Sequence, residues 1–289
     1  MKKYLLMGLL PAFLLLGCKD NEEAEKPMKK LESITWSKNN SPTREGAIKI
    51  IYNGEGNLSL IEEYNQSESK IRQYSYSIKK ESASVSCVDY RIEPVEVLSD
   101  YRVLSLNRET VYTERFNVFN EYNGTKEAYS KDKLEYIYQG GQLSSINWTA
   151  TVPDGSRYDE IKLDGAAKFE YLNGNLSELK WSADINNRKK MEITYSDISL
   201  PANLPLRFTR LIDLDTWDMF DPLNIYYGAG SQQLPSTIKV IDISSGNVDA
   251  EYTFTPSMFE GYLMDMEIMC DKSDTREVYT YIFKYRNSL

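Results

Sequence analysis

"KFEYLNGNLSELKW", Lys168 to Trp181, reads as a strand, a turn and a second strand. Phe169 and Tyr171 alternate with Lys168 and Glu170, the period of two of a half-exposed strand. Asn173 and Gly174 supply the positive φ angles that a tight hairpin turn requires, and an aliphatic run to Trp181 follows. A near copy, "LEYIYQGGQLSSINW", spans Leu134 to Trp148. The two align as Tyr138-x-x-Gly141-x-Leu143-x-x-Ile146-x-Trp148 and Tyr171-x-x-Gly174-x-Leu176-x-x-Leu179-x-Trp181. A looser copy runs from Ile51 through Gly54 and Leu58 to Ile61. Further variants run from Val240 to Asn247 and on to Tyr252, and from Tyr252 through Gly261 to Ile268, the last with a longer expected loop. Because Trp148 and Trp181 hold equivalent positions, they are expected to share a packing role. Trp36 has no evident partner.

The same alternation recurs in Met191, Ile193 and Tyr195, and in Tyr279, Tyr281, Phe283 and Tyr285. Aromatic and β-branched residues suit a pleated surface. Long runs of helical period are missing, and the best helix candidate, Leu211 to Phe220, is short and lacks clear caps. The class is mostly β, an antiparallel meander of hairpins with little helix. Cys270 shares a parity with Met264, Met266 and Ile268, which places all four inward.

The first residues read as an address. Lys2 and Lys3 precede an apolar run from Leu5 to Leu16, too short to span a bilayer as a helix. The run ends in Leu15-Leu16-Gly17-Cys18, which resembles a bacterial lipobox. Residues 1–17 are therefore expected to be a lipoprotein signal peptide, and Cys18 the lipidated residue that holds the protein on the membrane through its acyl chains alone. Residues 18–30 form an acidic tether, and residues 31–289 one antiparallel β domain. Asp20, Glu22 and Glu23 behind the cysteine resemble the export signal of surface lipoproteins in Bacteroidetes. The expected location is the outer membrane, on the cell surface, with its periplasmic face as the alternative.

A net charge of −9 argues against nucleic acid, whose binding depends on basic surface. Histidine is absent, which excludes His-based triads, His general bases and His-containing metal sites. Cys87 and Cys270 either pair in an oxidising compartment or stand as small buried residues; sequence spacing does not choose between them. The densest acidic cluster is Asp213, Asp215, Asp218 and Asp221, with Trp217 and Phe220 beside them. Carboxylates in one loop suit calcium, but this spacing does not match an EF-hand, so no metal or other cofactor is expected. The two aromatics either stack on sugar rings or plug one end of the sheet. Glycine-rich phosphate loops and Ser-x-x-Lys phrases in a credible context are missing. Among so many carboxylates, a pair at glycosidase spacing arises by chance in any fold.

Through the lipobox, the Tyr-x-x-Gly-x-Leu hairpins, Tyr227-Gly228 leading to Leu234-Pro235-Ser236, and the closing strand at Tyr279 to Tyr281, the chain resembles a Bacteroidetes lipoprotein family of unknown function with a porin-like fold. The hairpin phrase is also loosely similar to the tyrosine-containing repeats of Rhs-type shell proteins. The resemblance implies a meander curled into a soluble barrel or half-barrel; it implies no catalytic residue. The expected function is a non-enzymatic surface lipoprotein that binds extracellular glycan or glycopeptide, through Trp217, Phe220 and the neighbouring acids. The alternatives are a structural lipoprotein that partners an outer-membrane barrel, and a carboxylate-based glycoside hydrolase.

Overall fold

The computed structural model describes residues 29–78, 83–90, 96–103, 110–122, 125–154, 157–182, 188–200 and 231–287. Sixteen strands account for nearly all of them: β1 (Lys30–Lys38), β2 (Gly46–Tyr52), β3 (Leu58–Asn65), β4 (Lys70–Ile78), β5 (Ala83–Asp89), β6 (Glu96–Val103), β7 (Thr110–Tyr122), β8 (Thr125–Gln139), β9 (Gln142–Asp154), β10 (Arg157–Leu172), β11 (Asn175–Ser182), β12 (Arg188–Ser199), β13 (Gln233–Asp242), β14 (Val248–Phe259), β15 (Tyr262–Lys272) and β16 (Thr275–Arg286). Each strand pairs antiparallel with the next in sequence, and β1 pairs with β16 from Lys30↔Arg286 to Lys38↔Tyr279, so the ladder closes into a barrel. No helix occurs among the described residues. The helix candidate at Leu211 to Phe220 lies outside them.

Up-and-down order puts alternate turns at opposite rims. One rim carries Lys29 and Arg286 and the turns at 53–57, 140–141, 173–174 and 260–261; it is called the tether rim below. The repeated phrases turn there, except the variant from Val240 to Asn247, which turns between β13 and β14 at the opposite rim. The turn between β14 and β15 has Glu260 and Gly261 at φ 49° and 80°, a tight turn where the sequence suggested a longer loop. Asn173 and Gly174 adopt φ 53° and 80°, the left-handed pair that the opening phrase requires.

The phrase has a second regularity. Leu143 and Ile146 are both fully buried although three residues apart, a spacing that a regular strand cannot place on one face. The ladder resolves this with a bulge. Ile137 pairs with Ser145 and Tyr138 with Leu143, leaving Ser144 as the extra residue. The second copy pairs Glu170 with Glu178 and Tyr171 with Leu176, leaving Ser177. The looser copy pairs Tyr52 with Leu58, leaving Ser59, and the last pairs Met258 with Leu263, leaving Met264. The Ser144 hydroxyl donates to the Ile137 carbonyl at 2.9 Å, and that of Ser177 to Glu170 at 3.1 Å. Each serine thus satisfies a carbonyl at the interrupted ladder. Replacing Ser144 by alanine is expected to lower stability by about 0.5–1.5 kcal/mol in urea denaturation, with the fold retained.

The same bulge corrects one inward assignment. Met264 is outward and 36% exposed, whereas Leu263, Met266, Ile268 and Cys270 are buried.

A round barrel of sixteen strands would leave an aqueous bore. Where side-chain burial is described, from β1 to β4 and over much of β8 to β16, inward side chains instead pack together. Leu31, Ile34, Ile61, Leu143, Ile146, Leu179, Met191 and Leu234 have no exposure and belong to one continuous cluster. Trp181 joins this core and Trp148 packs against it, the shared role that their equivalent positions predicted. Trp36 finds its partner at the seam, where its ring stacks on Tyr281 with centroids 6.1 Å apart and lies over Gly46. The outer wall carries charge: Lys190 pairs with Glu192 at 2.6 Å and Glu178 at 3.7 Å, and Lys239 with Glu251 at 3.3 Å. An outer-membrane barrel has the opposite polarity, because each Lys or Arg facing lipid at mid-depth costs about 2–4 kcal/mol.

Candidate functional site

Two side-chain constellations stand out among the described residues. The first covers the outer wall at β2 to β5. Register places Lys49 beside Glu62 and Glu62 beside Gln73, one row across three strands, with Tyr64 and Lys70 paired in the neighbouring row. Lys70 forms an ion pair with Glu62 and also donates to Gln73 Oε1 at 2.9 Å. The Tyr64 hydroxyl donates to Glu62 at 2.7 Å, and that of Tyr90 to Gln73 Oε1 at 3.3 Å. Lys49 stands over the Tyr64 ring at 4.4 Å, and Lys70 over the Tyr90 ring at 5.5 Å.

Although it points away from the core, Glu62 is only 9% exposed, because these neighbours cover it. Burial pushes its carboxyl up, but the Lys70 and Tyr64 hydrogen bonds and the charges of Lys70 and Lys49 outweigh burial and hold it below its usual value. Burial and the Glu62 carboxylate push Tyr64 up to about 12. At the tether rim burial raises Tyr285 to about 12 as well.

A tyrosine whose folded pKa exceeds its unfolded value, about 10, favours folding fully below that unfolded value. The advantage is lost as pH rises through the folded value. Alkaline unfolding is therefore expected between about pH 10 and 12, with tyrosinate absorbance and loss of sheet circular dichroism appearing together. Tyrosines that all ionised near pH 10 in a still-folded barrel would contradict this.

The second constellation lies at the tether rim and went unnoticed in the sequence. Asn175 is 7% exposed. Its Oδ1 accepts from the backbone N–H of Gln232 at 2.7 Å and of Gln233 at 3.2 Å, and its Nδ2 donates to Gln233 Oε1 at 2.8 Å. Ser231 Oγ accepts from the Leu176 N–H at 3.1 Å and shares a hydrogen bond with the Tyr195 hydroxyl, 2.8 Å away. The Leu200 N–H donates to the Gln232 carbonyl at 2.8 Å. These bonds hold residues 200 and 231–233, the two feet of the longest interval between described strands. The available signal was one letter: Asn175 stands after the turn where the first copy has Gln142.

Asp213, Asp215, Trp217, Asp218, Phe220 and Asp221 lie outside the described residues, as does Cys18. Among the described residues no group of three or more acidic or cysteine side chains could hold a metal. Cys270 is a free, buried cysteine. The backbone of Cys87 sits on β5, six strands from β15 around the ring, so the early and late strands meet through β1 and β16 instead. Every described carboxyl with a displaced pKa, Glu62, Asp242, Asp271 and Glu277, is displaced downward, toward the ionised form.

Residues 20–289 match the model of a domain of unknown function, DUF5032. No curated protein matches the chain. A porin-like protein from Bacteroides vulgatus has a similar structure: TM-score 0.57 and 12% identity, over 90% of this chain and all of that one. A porin-like protein from Bacteroides uniformis gives TM-score 0.55 and 12% identity, over 89% of this chain and 98% of that one. Likeness at this identity establishes a shared fold and nothing about activity.

Proposed function

We propose that this chain, which belongs to the DUF5032 family, is a non-enzymatic lipoprotein anchored through Cys18 on the outer membrane, where it binds extracellular glycan or glycopeptide. The observation that carries the ligand reading is the Lys49, Glu62 and Gln73 row flanked by Tyr64 and Tyr90. A covered carboxylate, an amide, two phenols and two ammonium groups are fixed by one another on the outer wall. Sugar hydroxyls are recognised by preorganised groups of these kinds, and ordering them in advance lowers the entropy cost of binding. A downward-held Glu62 stays ionised and makes a poor general acid, which favours binding over glycoside hydrolysis at this wall.

The test is a glycan array, followed by calorimetry, on the mature chain with Glu62→Gln and Tyr90→Ala as comparisons. Binding that Glu62→Gln weakens at least about tenfold, near 1.4 kcal/mol, supports the reading. A parent chain that binds no sugar removes it. The alternative, a lipoprotein that partners an outer-membrane barrel, draws support from the anchored feet of the 200–231 connection at the tether rim. Cross-linking followed by co-purification of an outer-membrane protein distinguishes the two.

A further inference from the structure

We infer that the tether rim is a lipid-docking face: the barrel stands on the bilayer with the repeat turns against the lipid interface. This rests on the lipid anchor at Cys18 proposed above, and it adds an orientation and a contact surface.

The two rims differ in kind. At the tether rim, the residues just before the β10–β11 and β14–β15 turns are Leu172 and Phe259, 65% and 63% exposed. These are the most exposed large apolar side chains among the described residues. Both sit beside tight turns of Asn, Glu and Gly, where nothing in the fold requires an apolar residue. Inside them lies an aromatic layer. Tyr52, Tyr138 and Tyr171, the tyrosines of the repeated phrase, pack against the outer edge of the core together with Tyr285. Tyr262 meets Tyr285 edge to face at 5.0 Å. Cations stand on this layer: Lys30 at 5.0 Å and Arg286 at 5.6 Å from the Tyr52 ring, and Lys29 at 5.4 Å from that of Tyr262. Among the described residues at the ends and turns of this rim, three basic residues, Lys29, Lys30 and Arg286, accompany two acidic ones, Glu55 and Glu260.

Apolar tips, tyrosines behind them and lysine or arginine alongside form the sequence of groups that a bilayer interface accepts from tip to headgroup. Among the described residues the opposite rim is mainly ionic, with Lys38 and Glu277, Arg276 and Asp271, and Lys189 with Asp242 and Asp249, beside two less exposed apolar residues, Ile243 at 42% and Val248 at 49%.

Covalent reach points the same way. Lys29 is eleven residues beyond Cys18, so its backbone cannot lie more than about 40 Å from the lipidated residue. Strands of eleven or twelve residues, such as β14 and β15, put the far rim roughly 30 Å beyond the near one. The anchor therefore joins the fold at the tether rim, and the ionic rim could meet lipid only with the tether drawn out along most of its length.

The experiment uses the full chain expressed in a bacterium that processes lipoproteins, with a clickable fatty acid to score acylation. The protein is then reconstituted into phosphatidylcholine vesicles containing a minority of phosphatidylglycerol and a bromine-labelled lipid. Phe259→Trp and Leu172→Trp report contact, each as the difference from the parent. Val248→Trp, at a 49% exposed apolar position on the ionic rim, is the exposure-matched control. Quenching at 259 and 172 with none at 248 is the expected result. An acylated chain whose 259 and 172 probes are quenched no more than the 248 probe overturns the docking face and leaves the anchor standing. A chain that takes up no fatty acid overturns both.

Discussion

Leu179→Ala is expected to cost about 2–5 kcal/mol in urea or guanidinium denaturation. Leu179 has no exposure and sits one turn of the repeat behind the β11 bulge, opposite Phe169 on β10 and Met191 on β12. Its isobutyl group occupies the filled interior, where close packing leaves a truncated site little chance to collapse. The matching position of the first copy, Ile146, is equally buried, and Ile146→Ala is expected to fall in the same range. The outer wall makes the contrast. Lys180, adjacent in sequence, forms its ion pairs in solvent, so Lys180→Ala should change stability by less than about 1 kcal/mol. Equal effects at 179 and 180 would mean that the barrel interior is not the core.

Gly46→Ala is expected to destabilise by about 1–3 kcal/mol, a large effect for one methyl group. A Cβ at this position would fall on the Trp36 ring, and that ring is sandwiched against Tyr281 across the closing seam. Trp36 must then leave its rotamer or β1 must shift against β2. The pair Trp36↔Gly46 is directly opposite in the ladder, so the two residues are coupled. A cycle with Trp36→Leu is expected to recover part of the loss, leaving an interaction energy of about 0.5–3 kcal/mol. Strict additivity of the two substitutions would show that Gly46 is glycine for some other reason.

Much of this architecture could be read from the chain. Period-two alternation at Phe169 and Tyr171, with Asn173 and Gly174 to turn them, identified antiparallel hairpins, because both signals are local. Equivalence of Trp148 and Trp181 predicted their shared packing for the same reason. The bulges were less legible. Leu143-x-x-Ile146 and Leu176-x-x-Leu179 break the period, and only the partner strand reveals that Ser144 and Ser177 are the residues skipped. The parity argument failed at Met264 for this cause, since it assumed an unbroken strand across a bulge.

The outer-wall cluster was invisible for a different reason. Lys49, Glu62, Gln73 and Tyr90 come from four separate parts of the chain, and register alone assembles them. Asn175 looked like one more turn residue, because its partners, Ser231 to Gln233, lie more than fifty positions away. Closure belongs with these long-range facts. Nothing in the sequence near Lys30 or Arg286 announces that the first and last strands pair.

That pairing is open to direct measurement. Thr35 and Ile282 face each other across the seam, and directly opposed strand residues have the Cβ separation that a disulfide accepts. Asp265 and Ile282, on adjacent strands whether or not the ring closes, provide the reference pair. Peptide mapping under non-reducing conditions should find the Thr35→Cys/Ile282→Cys bond formed as completely as the Asp265→Cys/Ile282→Cys bond. A reference bond that forms while the seam bond does not would show an open sheet and contradict the closed barrel.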